Sequence, residues 1–210
     1  MNLKQYDFND YVNESVGKKQ IYLHHTAGTG TPQGVFNMWQ KNSARIATCV
    51  VIGRDGDIGQ GFSSAKWAYH LGIKQDVFAK HGVKYQNLDK ISIGIEIINW
   101  GQLTEKDGKF FSYTGREVKD VIEVPFKKYR YWENYTDAQI ESTRELLLLW
   151  KDKYNIPLSY NEDIWDVSDR ALKGEPGVFT HNSVRSDKVD VYPHPKLIEM
   201  LKSLWPRLNN

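Results

Sequence analysis

Cys49 is the only cysteine in the 210 residues, so no disulfide can close within the chain, and the fold must stand on its apolar core or on some other cross-link. No run of about 18 apolar residues occurs anywhere, which argues against a membrane-spanning helix. Met1 to Lys19 lacks the apolar stretch that a signal peptide requires, so the chain reads as one made in the cytoplasm. Neither sign of charge dominates: 28 Lys and Arg against 26 Asp and Glu leave +2, which speaks against nucleic acid or an anionic membrane as the main partner. Internal repeats and low-complexity tracts are also missing.

What is present is ordinary globular material, 40% hydrophobic and 26% charged, enough to bury a sizeable core. At roughly 150 residues per domain, the length points to a single domain over 1–210. Within it, 1–17 reads as an N-terminal extension and 102–133 as an insertion. Aromatic residues reach 13%, which on composition alone favours an aromatic-rich core over a cleft that stacks on sugars.

The apolar run Gln20 to His25, followed by Thr-Ala-Gly-Thr-Gly-Thr-Pro, predicts a buried strand ending in an exposed loop. Thr31 and Pro32 then cap a helix carrying Val35, Phe36, Met38 and Trp39. Ala47 to Ile52 and Ile58 to Phe62 flank an Asp-Gly turn and predict a hairpin. Ile91 to Asn99 is a third strand, apolar except for Glu96. Residues 102–133 show only weak strand signals, at Phe110 to Tyr113 and Val118 to Val124, and suggest an inserted hairpin or long loop. Thr136 and Asp137 open the strongest helix, which ends at Asn155-Ile156-Pro157. A polar loop from Asn161 to Gly177 with one helical turn follows, then a last helix from about Pro195 to Trp205. Strands alternating with helices predict an α/β fold, a central mixed β-sheet flanked by α-helices.

A hydrolytic metal site needs neutral imidazoles and carboxylates brought together from different elements, with one position left for water. Among the six histidines, His24 and His25 end a strand, so alternation favours one ligand and one spectator over two ligands. A histidine at a strand end is by itself more often a satisfied or surface residue. His181 has Lys188 seven and Asp190 nine positions downstream, a weak signal on spacing alone.

Taken in order, these segments resemble the zinc-dependent N-acetylmuramoyl-L-alanine amidases that share their fold with peptidoglycan recognition proteins. Ile21-Tyr22-Leu23-His24-His25-Thr26-Ala27-Gly28 is similar to the family's first-strand motif, and Val50-Val51-Ile52-Gly53-Arg54-Asp55-Gly56-Asp57-Ile58 to its hairpin. Trp67-Ala68-Tyr69-His70-Leu71-Gly72 resembles the segment of a substrate-cleft Trp and His. Asn87 with Ser92-Ile93-Gly94-Ile95-Glu96 resembles the segment bearing a catalytic glutamate, and Tyr135-Thr136-Asp137-Ala138-Gln139 the start of the helix behind the sheet. Thr180-His181 with Lys188 and Asp190 looks like the closing motif. The resemblance covers roughly 18–100 and 134–204.

It implies Zn²⁺ held by His24, His181 and Asp190, Glu96 as general base, Lys188 as oxyanion stabiliser, and His70 and Trp67 as substrate-binding residues. His25 would be a supporting residue, and His81 and His194 surface residues, with His194 the rival third ligand should Asp190 not serve. Taken singly, Glu96 reads first as a carboxylate paired with a nearby lysine or exposed at the strand edge, and Lys188 as a solvated surface lysine, the commoner state of a lysine.

The sequence departs from the family pattern in three places. Thr48 stands where members lacking the glutamate carry a tyrosine, so catalysis must lean on Glu96. Val191-Tyr192-Pro193 replaces a Pro-Gly after the Asp ligand. The 102–133 insertion exceeds a minimal domain, and reads either as a wall of the cleft or as a packed surface decoration.

The function implied is hydrolysis of the bond between the muramic lactyl group and L-alanine in bacterial peptidoglycan. A monomer, without nucleic-acid partner or membrane insertion, acting on the wall after release as a phage-type lysin, is the expectation. The alternatives are a non-catalytic peptidoglycan-binding module and an intracellular muropeptide-recycling amidase.

Overall fold

The computed structural model of the protein describes residues 3–204. The first half of the chain forms β1 (Leu3–Gln5), β2 (Gln20–His25), α1 (Pro32–Gln40), β3 (Val50–Ile52), β4 (Ile58–Gln60), α2 (Gln75–Lys80), α3 (Leu88–Ile91) and β5 (Ser92–Ile97). Next come β6 (Gln102–Lys106), β7 (Lys109–Phe111), β8 (Glu117–Val118), β9 (Val121–Phe126) and β10 (Tyr129–Glu133). The chain then runs through α4 (Asp137–Tyr154), α5 (Asp169–Leu172), β11 (Gly177–Thr180) and α6 (Pro195–Ser203). Short 3₁₀ turns lie at Glu162–Trp165 and His181–Ser183. The Trp205 end predicted for the last helix lies outside the described residues.

β2 and β5 are buried at all six positions each, as befits parallel strands covered on both faces, and they lie next to each other in a six-stranded sheet ordered β1-β4-β3-β5-β2-β11. Only β3 and β4 run antiparallel, across the predicted Asp-Gly turn, so the sheet is mixed as expected. The N-terminal segment supplies its edge strand β1 and a bridge from Val12 to Trp67.

α4 starts in a capping box, with Thr136 Oγ1 accepting from the Gln139 amide and the Gln139 side chain accepting from the Thr136 amide. It stops where Asn155 turns left-handed at φ +55°. Its buried face, including Leu146, Leu147 and Trp150, packs on β3 and α6, while α1 lies against β3 and β4. Gly56, at φ +84° in the β3–β4 turn, sits so close to Ala138 and Ser142 of α4 that a β-carbon there would clash.

The inserted segment is more regular than its sequence suggests. It forms a five-stranded antiparallel sheet ordered β8-β7-β6-β10-β9, with a small core of Trp100, Leu103 and Val118. Its strands run two to six residues and are only partly buried, so neither a continuous apolar run nor clean alternation marks them. Trp132 of β10 joins the main core instead: fully buried, it stacks on Tyr192 with centroids 4.6 Å apart and 18° between planes. No helix among the described residues is long and apolar enough to cross a membrane.

Removing that ring should loosen the docking of the inserted sheet. Trp132→Ala is expected to lower unfolding stability by about 3–5 kcal/mol in urea titration. A loss below about 1 kcal/mol would show that the sheet is held elsewhere.

Candidate active site

The site sits at the carboxyl edge of the parallel strands, where chain ends free their side chains from the core. His24 is the penultimate residue of β2 and lies in register with Glu96 of β5, so the two side chains leave the same face of the sheet. β11, on the other side of β2, runs directly into the 3₁₀ turn that begins with His181. Ser183 Oγ fastens this turn by accepting from the Thr180 amide at 3.1 Å and donating to Ile164 O at 3.0 Å. The buried Asn182 donates to the carbonyls of Asp190 (3.2 Å) and Val191 (2.8 Å), tying the Asp190 loop back to the same turn.

His24, His181 and Asp190 thereby converge. His24 Nδ1 lies 3.1 Å from His181 Nδ1 and 3.3 Å from Asp190 Oδ2, and His181 Nδ1 lies 2.9 Å from the same oxygen. For His181 the hydrogen-bond network assigns the proton. His181 Nε2 is 2.8 Å from Leu71 O, which only accepts, so Nε2 carries the hydrogen and Nδ1 a lone pair. His70 bridges from behind, with Nε2 2.9 Å from Ser92 Oγ and Nδ1 2.9 Å from His24 Nε2. His24 Nδ1 is the ring nitrogen left to face His181 and Asp190. Burial, reinforced by His181, brings His24 down to about 4, so it is neutral at pH 7. Asp190 stays ionised: burial opposes its charge, but His181 and His24 hold it well below the usual carboxylate range.

Two imidazole nitrogens and a carboxylate oxygen therefore face one another within 3.3 Å, a donor set of the kind that holds a divalent cation. Their separations match the ligand–ligand edge of about 3.3 Å expected for tetrahedral zinc with bonds of about 2.0–2.1 Å. The residues fit such an ion.

Beside them opens a cleft of about 360 Å³ lined by the three residues, Glu96 and Lys188, with Trp39, Ile46 and Gln102 among its walls. Burial, and next to it the charge of Asp190, pushes the Glu96 carboxyl well above the usual carboxylate range, while Lys188 opposes the shift. Among the described residues no carboxylate pairs with the Lys188 ammonium.

Other expectations need correction. Trp67 does not line the cleft; its ring is buried under the N-terminal segment, where Nε1 donates to Glu14 at 3.0 Å. His70 borders the cleft, and its ring nitrogens meet His24 Nε2 and Ser92 Oγ, so that it also orients His24. His194 is buried rather than exposed: it caps α6, and Nε2 meets Asn134 Oδ1 at 2.8 Å, well apart from the three-residue cluster. His25 turns away to Tyr135 OH (2.9 Å), as expected of a supporting residue, and His81 pairs with Asp169 at the surface. Thr48 lines the cleft with its hydroxyl donated to Val50 O. Trp39, Ile46, Ser92 and Asn182 were not foreseen. Only Ser92, two residues before a glycine and four before Glu96, stood in a motif that could have flagged it.

The sequence matches the family described as N-acetylmuramoyl-L-alanine amidase over residues 15–195. No curated protein matches it in sequence. Among solved structures, PlyL is 15% identical with a TM-score of 0.58, covering 98% of this chain and 99% of its own. The endolysin N-acetylmuramoyl-L-alanine amidase LysCS from Clostridium intestinale is 14% identical with a TM-score of 0.54, over 96% of this chain and 93% of its own. AmpD is 16% identical with a TM-score of 0.55, over 96% and 93%. At these identities the three share the fold.

The burial of His194 makes stability depend on pH. Burial lowers its pKa from 6.5 to about 4, so between those values the unfolded chain binds the proton and the folded one does not. Its contribution is complete above pH 6.5 and is lost as pH falls toward 4, amounting to about 3 kcal/mol. His194→Asn keeps a capping side chain without the titration. It should lose about that much less stability than wild type between pH 7 and pH 4 in urea unfolding; parallel curves would contradict the assignment.

Proposed function

Because this chain belongs to the N-acetylmuramoyl-L-alanine amidase family, we propose that it hydrolyses the amide between the muramic lactyl group and L-alanine of bacterial peptidoglycan, using zinc held by His24, His181 and Asp190. The observation that carries this reading is the meeting of two imidazole nitrogens and one carboxylate oxygen beside a buried glutamate. Zinc at such donors polarises an amide carbonyl and makes a water molecule acidic enough to attack near neutral pH.

The chain's own groups do the rest. Glu96 takes the proton of the attacking water and hands it to the departing L-alanine nitrogen, a task suited to a carboxyl whose environment lifts it above its ordinary range. The Lys188 ammonium stabilises the oxyanion that develops on the carbonyl oxygen. His70 and Ser92 keep His24 in the orientation that presents Nδ1, and Leu71 O does the same for His181. The wall-lysin role of the phage type is part of the proposal, supported by the likeness to a protein named as an endolysin.

Two variants test it. Glu96→Gln should keep its fold and metal content while turnover on purified peptidoglycan falls by about two or more orders of magnitude; wild-type rates would remove Glu96 from the mechanism. His181→Ala should purify without stoichiometric zinc by elemental analysis, and full occupancy would refute the ligand set.

A further inference from the structure

The inserted sheet contributes only Gln102 to the lining of the cleft, yet it grips the loop that carries Lys188. Lys127, in the two-residue turn between β9 and β10, extends its ammonium to that loop and donates to the carbonyls of Ser186 (3.1 Å) and Lys188. Asp166, Asp187 and Asp190 all attract the same ammonium.

A second, independent observation concerns the backbone. Lys127 adopts φ +52°, in the left-handed region where a β-carbon costs about 1–2 kcal/mol and where glycine or asparagine is the usual occupant. The turn thus carries a conformation its residue disfavours, and what the lysine adds there is a side chain long enough to reach the two carbonyls. Downstream, the same insertion holds the other end of the segment. Tyr192 lies between Trp132 (4.6 Å) and Tyr135 (4.9 Å), and its hydroxyl donates to Glu133 O at 2.8 Å. Lys188 and Asp190 lie between these two anchors.

We infer that the inserted sheet is a brace for the 186–192 segment, and that Lys127 is a positioning residue which holds the Lys188 backbone so that its ammonium stays at the reacting carbonyl. This rests on the oxyanion role proposed for Lys188. Without the brace, the loop spends less time in the productive arrangement, which lowers turnover of bound substrate and leaves binding nearly unchanged.

Lys127→Gly removes the ammonium and suits the left-handed backbone, so the fold is retained. Lys127→Arg keeps a donor of similar reach. Expected for Lys127→Gly are faster amide hydrogen exchange confined to 184–190, unchanged zinc content, and kcat on a soluble N-acetylmuramoyl peptide about tenfold lower at constant KM. Lys127→Arg should restore both exchange and kcat. In a Lys188→Ala background, Lys127→Gly should add no further loss. Wild-type exchange and kcat in Lys127→Gly would overturn the inference, as would a full additional loss in the Lys188→Ala background. Wild-type turnover in Lys188→Ala alone would instead refute the oxyanion role, while the exchange rates would still report whether the brace exists.

Discussion

Two imidazole nitrogens and a carboxylate oxygen are held within 3.3 Å of one another, and the elements around them supply the hydrogen bonds that keep them there. Each histidine is fixed from behind: His181 by a backbone carbonyl, His24 by a relay through His70 and Ser92. The carboxylate is fixed through the peptide groups on either side of it, by Asn182. The parallel register that places His24 beside Glu96 supplies the fourth member of the site without any contact between the two side chains being needed. A donor set gathered in this way from elements far apart in the chain is the form expected of a place where binding of a cation is coupled to folding.

The inserted sheet gives this edge of the molecule its stiffness. Val191-Tyr192-Pro193 follows Asp190, a departure from the Pro-Gly that the resemblance implies there. Tyr192 converts that departure into an anchor, because its flat ring is sandwiched between two aromatic side chains contributed by the insertion and by the segment just after it. The high aromatic content is thus absorbed mainly by packing: Trp132, Trp150, Tyr22, Tyr135 and Tyr192 are all fully buried. Exposed aromatic rings such as Tyr69, Tyr85 and Tyr113 are a minority.

The main sheet was legible in the sequence because its central strands are continuous apolar runs and its helices carry explicit caps, Thr31 with Pro32 and Thr136 with Gln139. The three candidate ligands were legible only through resemblance, since their convergence depends on pairings between strands more than 150 residues apart along the chain. The inserted segment shows only weak strand signals, and its full five-stranded sheet escapes the sequence because its short, half-exposed strands carry no strong period. Trp67 and His70 were assigned to the substrate by their motif, whereas partners distant in sequence, Glu14 and His24, claim their polar atoms. His194, expected at the surface, lies between two prolines. Yet a residue directly before a proline that opens a helix is the capping position, and there its ring was free to serve as the cap and be buried.

Purified peptidoglycan digested with the protein, with and without a chelator, and analysed by mass spectrometry tests the account most directly. Stem peptides bearing a free L-alanine amine, released only while the chelator is absent, are the predicted result. A wall that binds the protein and stays intact would contradict it, and would make the three-residue cluster part of a binding module that does no chemistry.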